Sequence, residues 1–562
     1  MNSYSKINSP NPNQAEINQS SPTTYGSARF ADITEIMASG LTLEGKGRIA
    51  APWVGIVKDK LGNQYDVFGR TPSSKKGELL SSNHLLSIAK TQAGKSSGQL
   101  TITLLSYEGS IVVNDPKNEL YKRTSGYRTQ KLGQNVYRFA PESEDSNVWN
   151  PLSSIRTDLS IRFENMTLSQ QADEQEDALF LAEMLITPSG EPNDIFWENL
   201  ARSILAGILL HVATTEISEL DEGTTLEELD AEEIEEIRLK MLVQVHERSM
   251  FEVARLLFVK PEAFIKLLEE MLKSPRPLIK NSAAQFMRLE AGEGKIAQSV
   301  FAMFIAHLNI WTSPRVRSAT YKKPLVGDLS QAISNDFEFT YLANSASTIY
   351  INFESDLSGT QSVLRVLVGT AMRQLKHINK PLIDNPADHN NPSVLFLLDE
   401  FATLGYMRPI EEALTYIAGY NVRFWFFVQD ICQLKQHYPK SWTTFFSNTG
   451  TQCFYGINEI ETAKLISELL GQATVENQTH NNGTTTGQAT WYGSNITTTH
   501  STTTSHVSRP LMLPDEVQRA SKDHAIILNH GMRPILAKLI KYIELPEILN
   551  RSQLPPEHIK FK

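Results

Sequence analysis

Residues 85–98 read Leu85-Leu86-Ser87-Ile88-Ala89-Lys90-Thr91-Gln92-Ala93-Gly94-Lys95-Ser96-Ser97-Gly98. The apolar start predicts a strand over 85–89 that feeds a loop of small residues ending in Gly94-Lys95-Ser96. Such a loop turns backbone N–H groups inward around a phosphate, and the next helix directs its partially positive end there. The candidate nucleotide-binding residues are therefore Thr91, Gln92, Ala93, Gly94, Lys95, Ser96 and Ser97. Lys95 would reach the β- and γ-phosphates of ATP, and the Ser96 hydroxyl would ligate Mg²⁺. The pattern departs from G-x-x-x-x-G-K-[ST] at Ala89, which stands where the first glycine is usual.

The complement of this loop lies far along the chain. Val394 to Leu398 is a continuous apolar run, as expected of a strand buried on both faces, and it ends in Asp399-Glu400. A carboxylate at that edge can hold Mg²⁺ through water, which selects Asp399 as a second metal residue. Glu400 can polarise the attacking water. The aromatic run Val422 to Val428 ends in Gln429, which either senses the γ-phosphate or caps the next helix. Together Lys95, Glu400 and Gln429 form the candidate catalytic set of a nucleotide hydrolase.

Composition bounds the remaining classes. The chain has 562 residues, 41% hydrophobic and 21% charged, as in a soluble globular protein of several domains. A net charge of −10 argues against a broadly basic nucleic-acid binder, though not against a basic channel inside an oligomer. Cys432 and Cys453 have no metal-ligand spacing and suit a reduced cytoplasmic setting. Residues 1–25 lack a secretory signal, and no run approaches the length of a membrane span. Ile204 to Ala213 comes nearest and reads as a buried helix.

The order of elements predicts an α/β fold with an insertion. Residues 1–25 form a disordered tail, and 26–159 the first part of a nucleotide-binding domain. A hairpin lies over 50–82, followed by β-α-β-α-β from 84 to 140, hence a parallel sheet. Residues 160–300 have helical spacing and little strand signal, so they read as an inserted all-helical domain. Within them, 216–236 carry eleven Asp and Glu and no Lys or Arg. This acidic run is a solvated face or a docking surface for a basic partner. The nucleotide-binding domain resumes over 301–545, and 546–562 is a C-terminal tail. Residues 472–508 are rich in Thr, Asn, Gly, Ser and His and predict a long flexible hairpin or loop.

The motifs together resemble the conjugative type IV secretion coupling proteins. The likeness runs from Gly26-Ser27-Ala28-Arg29-Phe30-Ala31 through the phosphate loop and Asn114-Asp115-Pro116-Lys117-Asn118-Glu119. It continues in Asn150-Pro151-Leu152, Phe196-Trp197-Glu198-Asn199-Leu200-Ala201-Arg202 and Leu398-Asp399-Glu400-Phe401-Ala402-Thr403-Leu404-Gly405. Ala418-Gly419-Tyr420, Val428-Gln429, Asn448-Thr449-Gly450-Thr451-Gln452 and Arg509-Pro510-Leu511-Met512 complete it.

The resemblance implies a RecA-like P-loop motor using ATP and Mg²⁺, with a parallel-rich central sheet, monomeric when free and assembling as a homo-hexamer. It implies DNA, a relaxase or a protein cargo as substrate, and secretion-machinery subunits as partners. Family members usually begin with transmembrane helices and no such run is seen here, so the expectation is a cytoplasmic protein, peripheral to the inner membrane through a separate anchor, or else a truncated sequence. The inserted helical domain would recruit substrate, and the Thr-rich segment would lie near a central channel. Many members carry an arginine finger where Ala418-Gly419-Tyr420 stands, which leaves Arg408 and Arg423 as candidates. Two other functions fit the same site: a recruitment platform for protein effectors with a regulatory ATPase, and a DNA translocase unrelated to secretion.

Overall fold

The computed structural model describes residues 26–42, 51–71, 84–189, 194–216, 231–291, 294–323, 335–353, 359–379, 393–486, 496–520 and 522–556. The predicted tail over 1–25 and most of the acidic run 216–236 lie outside the described residues.

The strands, in chain order, are β1 (Trp53–Lys58), β2 (Gln64–Phe68), β3 (Leu85–Ala89), β4 (Ile111–Asn114), β5 (Asn135–Phe139), β6 (Ser347–Ile351), β7 (Val394–Leu398), β8 (Val422–Val428) and β9 (Thr451–Tyr455). They are followed by β10 (Gln472–Thr486), β11 (Ile496–Pro510), β12 (His524–Asn529) and β13 (Ile535–Lys538). Eleven of them form one sheet in the order β2-β1-β13-β12-β9-β3-β8-β7-β4-β6-β5. From β9 to β5 every pairing is parallel, and from β9 to β2 every pairing is antiparallel.

The continuous apolar runs form the centre because both sheet faces are covered. Side chains alternate between two hydrophobic cores as the period of two demands. Leu86, Ile88, Val112, Phe396, Leu398, Phe424 and Phe426 enter one core, which the helical block completes. Leu85, Ala89, Ile111, Val113, Leu395, Leu397, Trp425 and Phe427 enter the other.

The helical block leaves the sheet after β5 and returns at β6, and these two strands are parallel neighbours. Its helices run from Leu168 to Thr320, with a break between Val243 and Met250. Ser249 caps the second of these helices by accepting from the Glu252 N–H (3.1 Å). The helix Ile195–Thr214 is long and apolar enough to cross a membrane, but most of it is buried inside the fold.

Of two further segments, one has the expected hairpin pairing and the other departs from expectation. The Thr-rich segment is a β-ribbon, with β10 and β11 paired residue by residue from Gln472↔Pro510 to Thr486↔Ile496. The stretch 546–562 is not simply a tail: Pro546–Ser552 is helical, and Arg551 donates to the Leu105 carbonyl (2.8 Å) while Gln130 donates to that of Pro555 (3.0 Å). Gly126 admits this strap, since a Cβ there would lie 2.2 Å from the Leu554 carbonyl oxygen.

Candidate nucleotide site

The phosphate loop leaves β3 between β8 and β9, all three parallel, so the chain turns at their shared C-terminal edge. Ala89 is still in the ladder, opposite Tyr455, and fully buried. It is not among the residues with left-handed backbone, so the missing glycine leaves no strain there. The turning falls instead on Gln92 (φ 63°) and Gly94 (φ 92°). Ala93 N–H donates to the Lys90 carbonyl (3.2 Å), closing the turn. Thr91 and Gln92 are exposed on the loop.

Beyond Lys95 the chain winds as a π-helix over Ser96–Leu100, then as an α-helix over Thr101–Leu104. Leu100 N–H reaches back to the Lys95 carbonyl (3.2 Å), and Ser97 Oγ to that of Gly94 (3.4 Å). A buried polar knot anchors this turn beneath the loop. Gln99 Nε2 donates to the Val54 carbonyl (3.0 Å), and its Oε1 accepts from Tyr455 (3.0 Å) and Ser87 (3.3 Å).

Asp399 leaves the C-terminal end of β7, on the same sheet edge. Its Oδ1 lies 3.7 Å from Lys95 Nζ, and both side chains are largely buried. That Oδ1 is buried without a hydrogen-bond partner. Burial pushes the Asp399 carboxyl up to about 6; Glu400 and Asp115 push the same way, and Lys95 and Lys117 oppose them. A buried, unpartnered carboxylate oxygen on the sheet edge that also carries Ser96 fits a divalent cation, so the donor set suits Mg²⁺. Asn114 Nδ2 fixes the backbone by donating to the Asp399 carbonyl (3.2 Å).

Glu400 follows in the left-handed region (φ 67°), a costly conformation for a residue with a side chain. The Thr403 N–H and hydroxyl hold it by donating to its carbonyl (3.0 and 2.8 Å). Gln429 leaves β8, which lies between β3 and β7. It does not cap the next helix. Asp430 does, accepting from the Gln433 N–H (3.1 Å), while Gln433 Oε1 accepts from the Gln429 N–H (2.9 Å).

The sheet thus brings the phosphate loop, Asp399, Glu400 and Gln429 to one edge. It does not bring the arginine candidates there. Arg423 is buried at the start of β8, donating to the Ala418 (2.6 Å) and Val422 (3.0 Å) carbonyls. Arg408 forks onto Glu183 (2.9 and 3.1 Å). Sequence reasoning gave no site role to Asp115, although it ends β4 beside β7 as Asp399 ends β7. Asp115 accepts from the Glu119 (3.2 Å) and Tyr121 (2.9 Å) N–H groups, and burial raises its carboxyl.

Residues 29–560 match the family described as type IV secretory system conjugative DNA transfer. The chain is 29% identical over 522 residues to a conjugal transfer protein TraG of Escherichia coli, covering 88% of this chain and 71% of that protein. It is 27% identical over 524 residues to a protein VirD4 of Rhizobium radiobacter, covering 92% of this chain and 64% of the relative. Among solved structures, the plasmid coupling protein TrwB in complex with the ATP analogue ADPNP superposes with a TM-score of 0.53 at 13% identity, covering 92% of this chain and 94% of that one. TrwB in complex with ADP and Mg²⁺ matches equally well (TM-score 0.53, 13% identity, the same 92% and 94% covered). With the match spanning nearly the whole sequence, and with this fold, the chain belongs to the type IV secretory system conjugative DNA transfer family.

Proposed function

We propose that this coupling protein is an ATP-hydrolysing motor that delivers a DNA or relaxase–DNA substrate to a type IV secretion channel. The observation that carries the reading is the meeting of Lys95 and Asp399 at 3.7 Å on the sheet edge from which Glu400 and the phosphate loop also project. Lys95 and the loop amides stabilise charge developing on the γ-phosphate. Ser96 and Asp399 hold Mg²⁺, which supplies Lewis-acid polarisation of the phosphate oxygens when bound. Glu400 accepts a proton from the attacking water, and Gln429 orients that water. TrwB complexes with ADPNP and with ADP and Mg²⁺ support the cofactor assignment.

Copies of the chain form a ring, taken to be a hexamer, on DNA or on a membrane partner. The protein is placed on the cytoplasmic side of the inner membrane, held there by secretion subunits. Steady-state ATPase measured with and without DNA tests the reading. Turnover that depends on Mg²⁺ and rises with DNA is expected. Nucleotide binding without turnover would leave a recruitment platform, and DNA-stimulated turnover without co-purifying secretion subunits would leave a separate translocase.

A further inference from the structure

The ribbon of β10 and β11 projects from the main sheet, and its parity can be read from its base. Leu511 N–H donates to the Gly471 carbonyl (2.9 Å), which makes odd-numbered residues the ones exchanging main-chain bonds across the ribbon. Even-numbered residues direct N–H and C=O away from it. The other edge agrees: Ala28 N–H donates to the Gln472 carbonyl (3.0 Å), and Ser27 bridges Ala473 in antiparallel sense. Residues 26–28 therefore close the β10 edge as far as Thr474, whose hydroxyl donates to the Gly26 carbonyl (3.0 Å).

Above that point both edges are open among the described residues. On β11, His500, Thr502, Thr504, His506 and Ser508 aim main-chain groups outward; on β10, Glu476, Gln478, His480 and Asn482 do so. A long open edge is a template for another strand, and proteins normally blunt it with charge, proline or a bulge. Here the register runs without a shift, and neither 477–486 nor 496–505 contains Asp, Glu, Lys, Arg or Pro. Pro510, the proline that ends β11, occupies an outward-facing even position.

We propose that β11 of one copy pairs with β10 of the next copy above Thr474, joining neighbouring ribbons edge to edge into a polar β-collar. The inference rests on the ring proposed above. A second copy is the occupant because it offers an antiparallel row of matching length and parity, uncharged over its upper part. Nucleic acid has no such N–H and C=O row. Both faces of the ribbon carry Thr, Ser, Asn, Gln and His, so a closed collar keeps water on both sides.

Residue-resolved amide hydrogen exchange on the full chain tests this, comparing dilute protein with protein assembled on DNA in ADPNP and Mg²⁺. Assembly should slow the even-numbered amides of 500–508 by about tenfold or more, while the odd-numbered ones are slow in both states. The double variant Thr502→Pro/Thr504→Pro removes outward donors only and should raise the protein concentration needed for assembly by about tenfold. A parent that assembles with its even amides still fast, and a double variant that assembles like the parent, would overturn the collar and leave the ring standing. A parent that stays monomeric on DNA at every concentration would overturn the collar and the ring together.

Discussion

Lys95 Nζ stands 3.7 Å from Asp399 Oδ1, closer to an ion-pair contact than to a hydrogen bond, and the carboxylate oxygen has no hydrogen-bond donor. Asp399 would be free to hold a divalent cation, and Lys95 to turn from the carboxylate to a phosphate, when nucleotide is bound.

Replacing Lys95 by Ala removes the fixed positive charge at the phosphates and should lower ATP turnover by about 10² or more. Glu400→Gln cannot accept a proton and should lose turnover to a similar degree while still binding nucleotide. Steady-state hydrolysis, alongside binding of a fluorescent ATP analogue, separates the two. Both variants near parental speed would remove the hydrolytic assignment.

Asp399 gives the nucleotide-free protein a distinctive pH response. Its carboxyl titrates near 6 in the fold against 3.8 ordinarily, so between those values the folded state holds a proton that the unfolded state has released. Stability therefore falls as pH rises through that window, by up to about 1.4 kcal/mol per unit from this group. Denaturant titrations in a metal chelator should show this slope in the parent and lack it in Asp399→Asn. Mg²⁺ competes with the same proton, so Mg²⁺ affinity should weaken as pH falls below about 6.

Gly456 sits behind the phosphate loop with φ +60°, where a Cβ would stand 2.9 Å from the Ala93 Cβ. Gly456→Val should push the loop away and strain the backbone, at about 1–3 kcal/mol. The expected signature is a raised KM for ATP with a smaller change in kcat. An unchanged KM would show that the loop position does not depend on this contact.

Arg365 is fully buried and ties three segments by donating to main-chain carbonyls: Met184 (3.1 Å) and Glu183 (3.4 Å) in the helical block, and Leu404 (3.4 Å) and Tyr406 after Glu400. Burial lowers its guanidinium to about 10, so it stays charged at neutral pH. Arg365→Ala strands these carbonyls and should cost about 3 kcal/mol or more, read as a lowered Tm. ATPase of the surviving folded fraction should also fall, because the segment that follows Glu400 loses its tether.

Much of the main sheet was legible because its central strands are apolar on both faces. Leu85 to Ala89, Val394 to Leu398 and Val422 to Val428 could be placed from composition alone. The residues at their ends followed from the parallel arrangement. The ribbon's ladder was less legible, because its pairing is a register between two polar strands and leaves no hydrophobic period. Arg365 and Gln99 were invisible for a related reason. Each is a polar residue whose partners, mostly main-chain carbonyls or residues distant in sequence, become neighbours only after folding. The docked helix Pro546–Ser552 has no periodic signal strong enough to separate it from a tail.

The helical block leaves from β5 and returns to β6, its immediate parallel neighbour at the rim of the sheet. In evolutionary terms it is a cassette spliced into a single crossover. Its size and surface can drift, or be exchanged wholesale, while Phe139 and Ser347 keep the same spacing and the sheet edge that carries Lys95 and Asp399 is untouched.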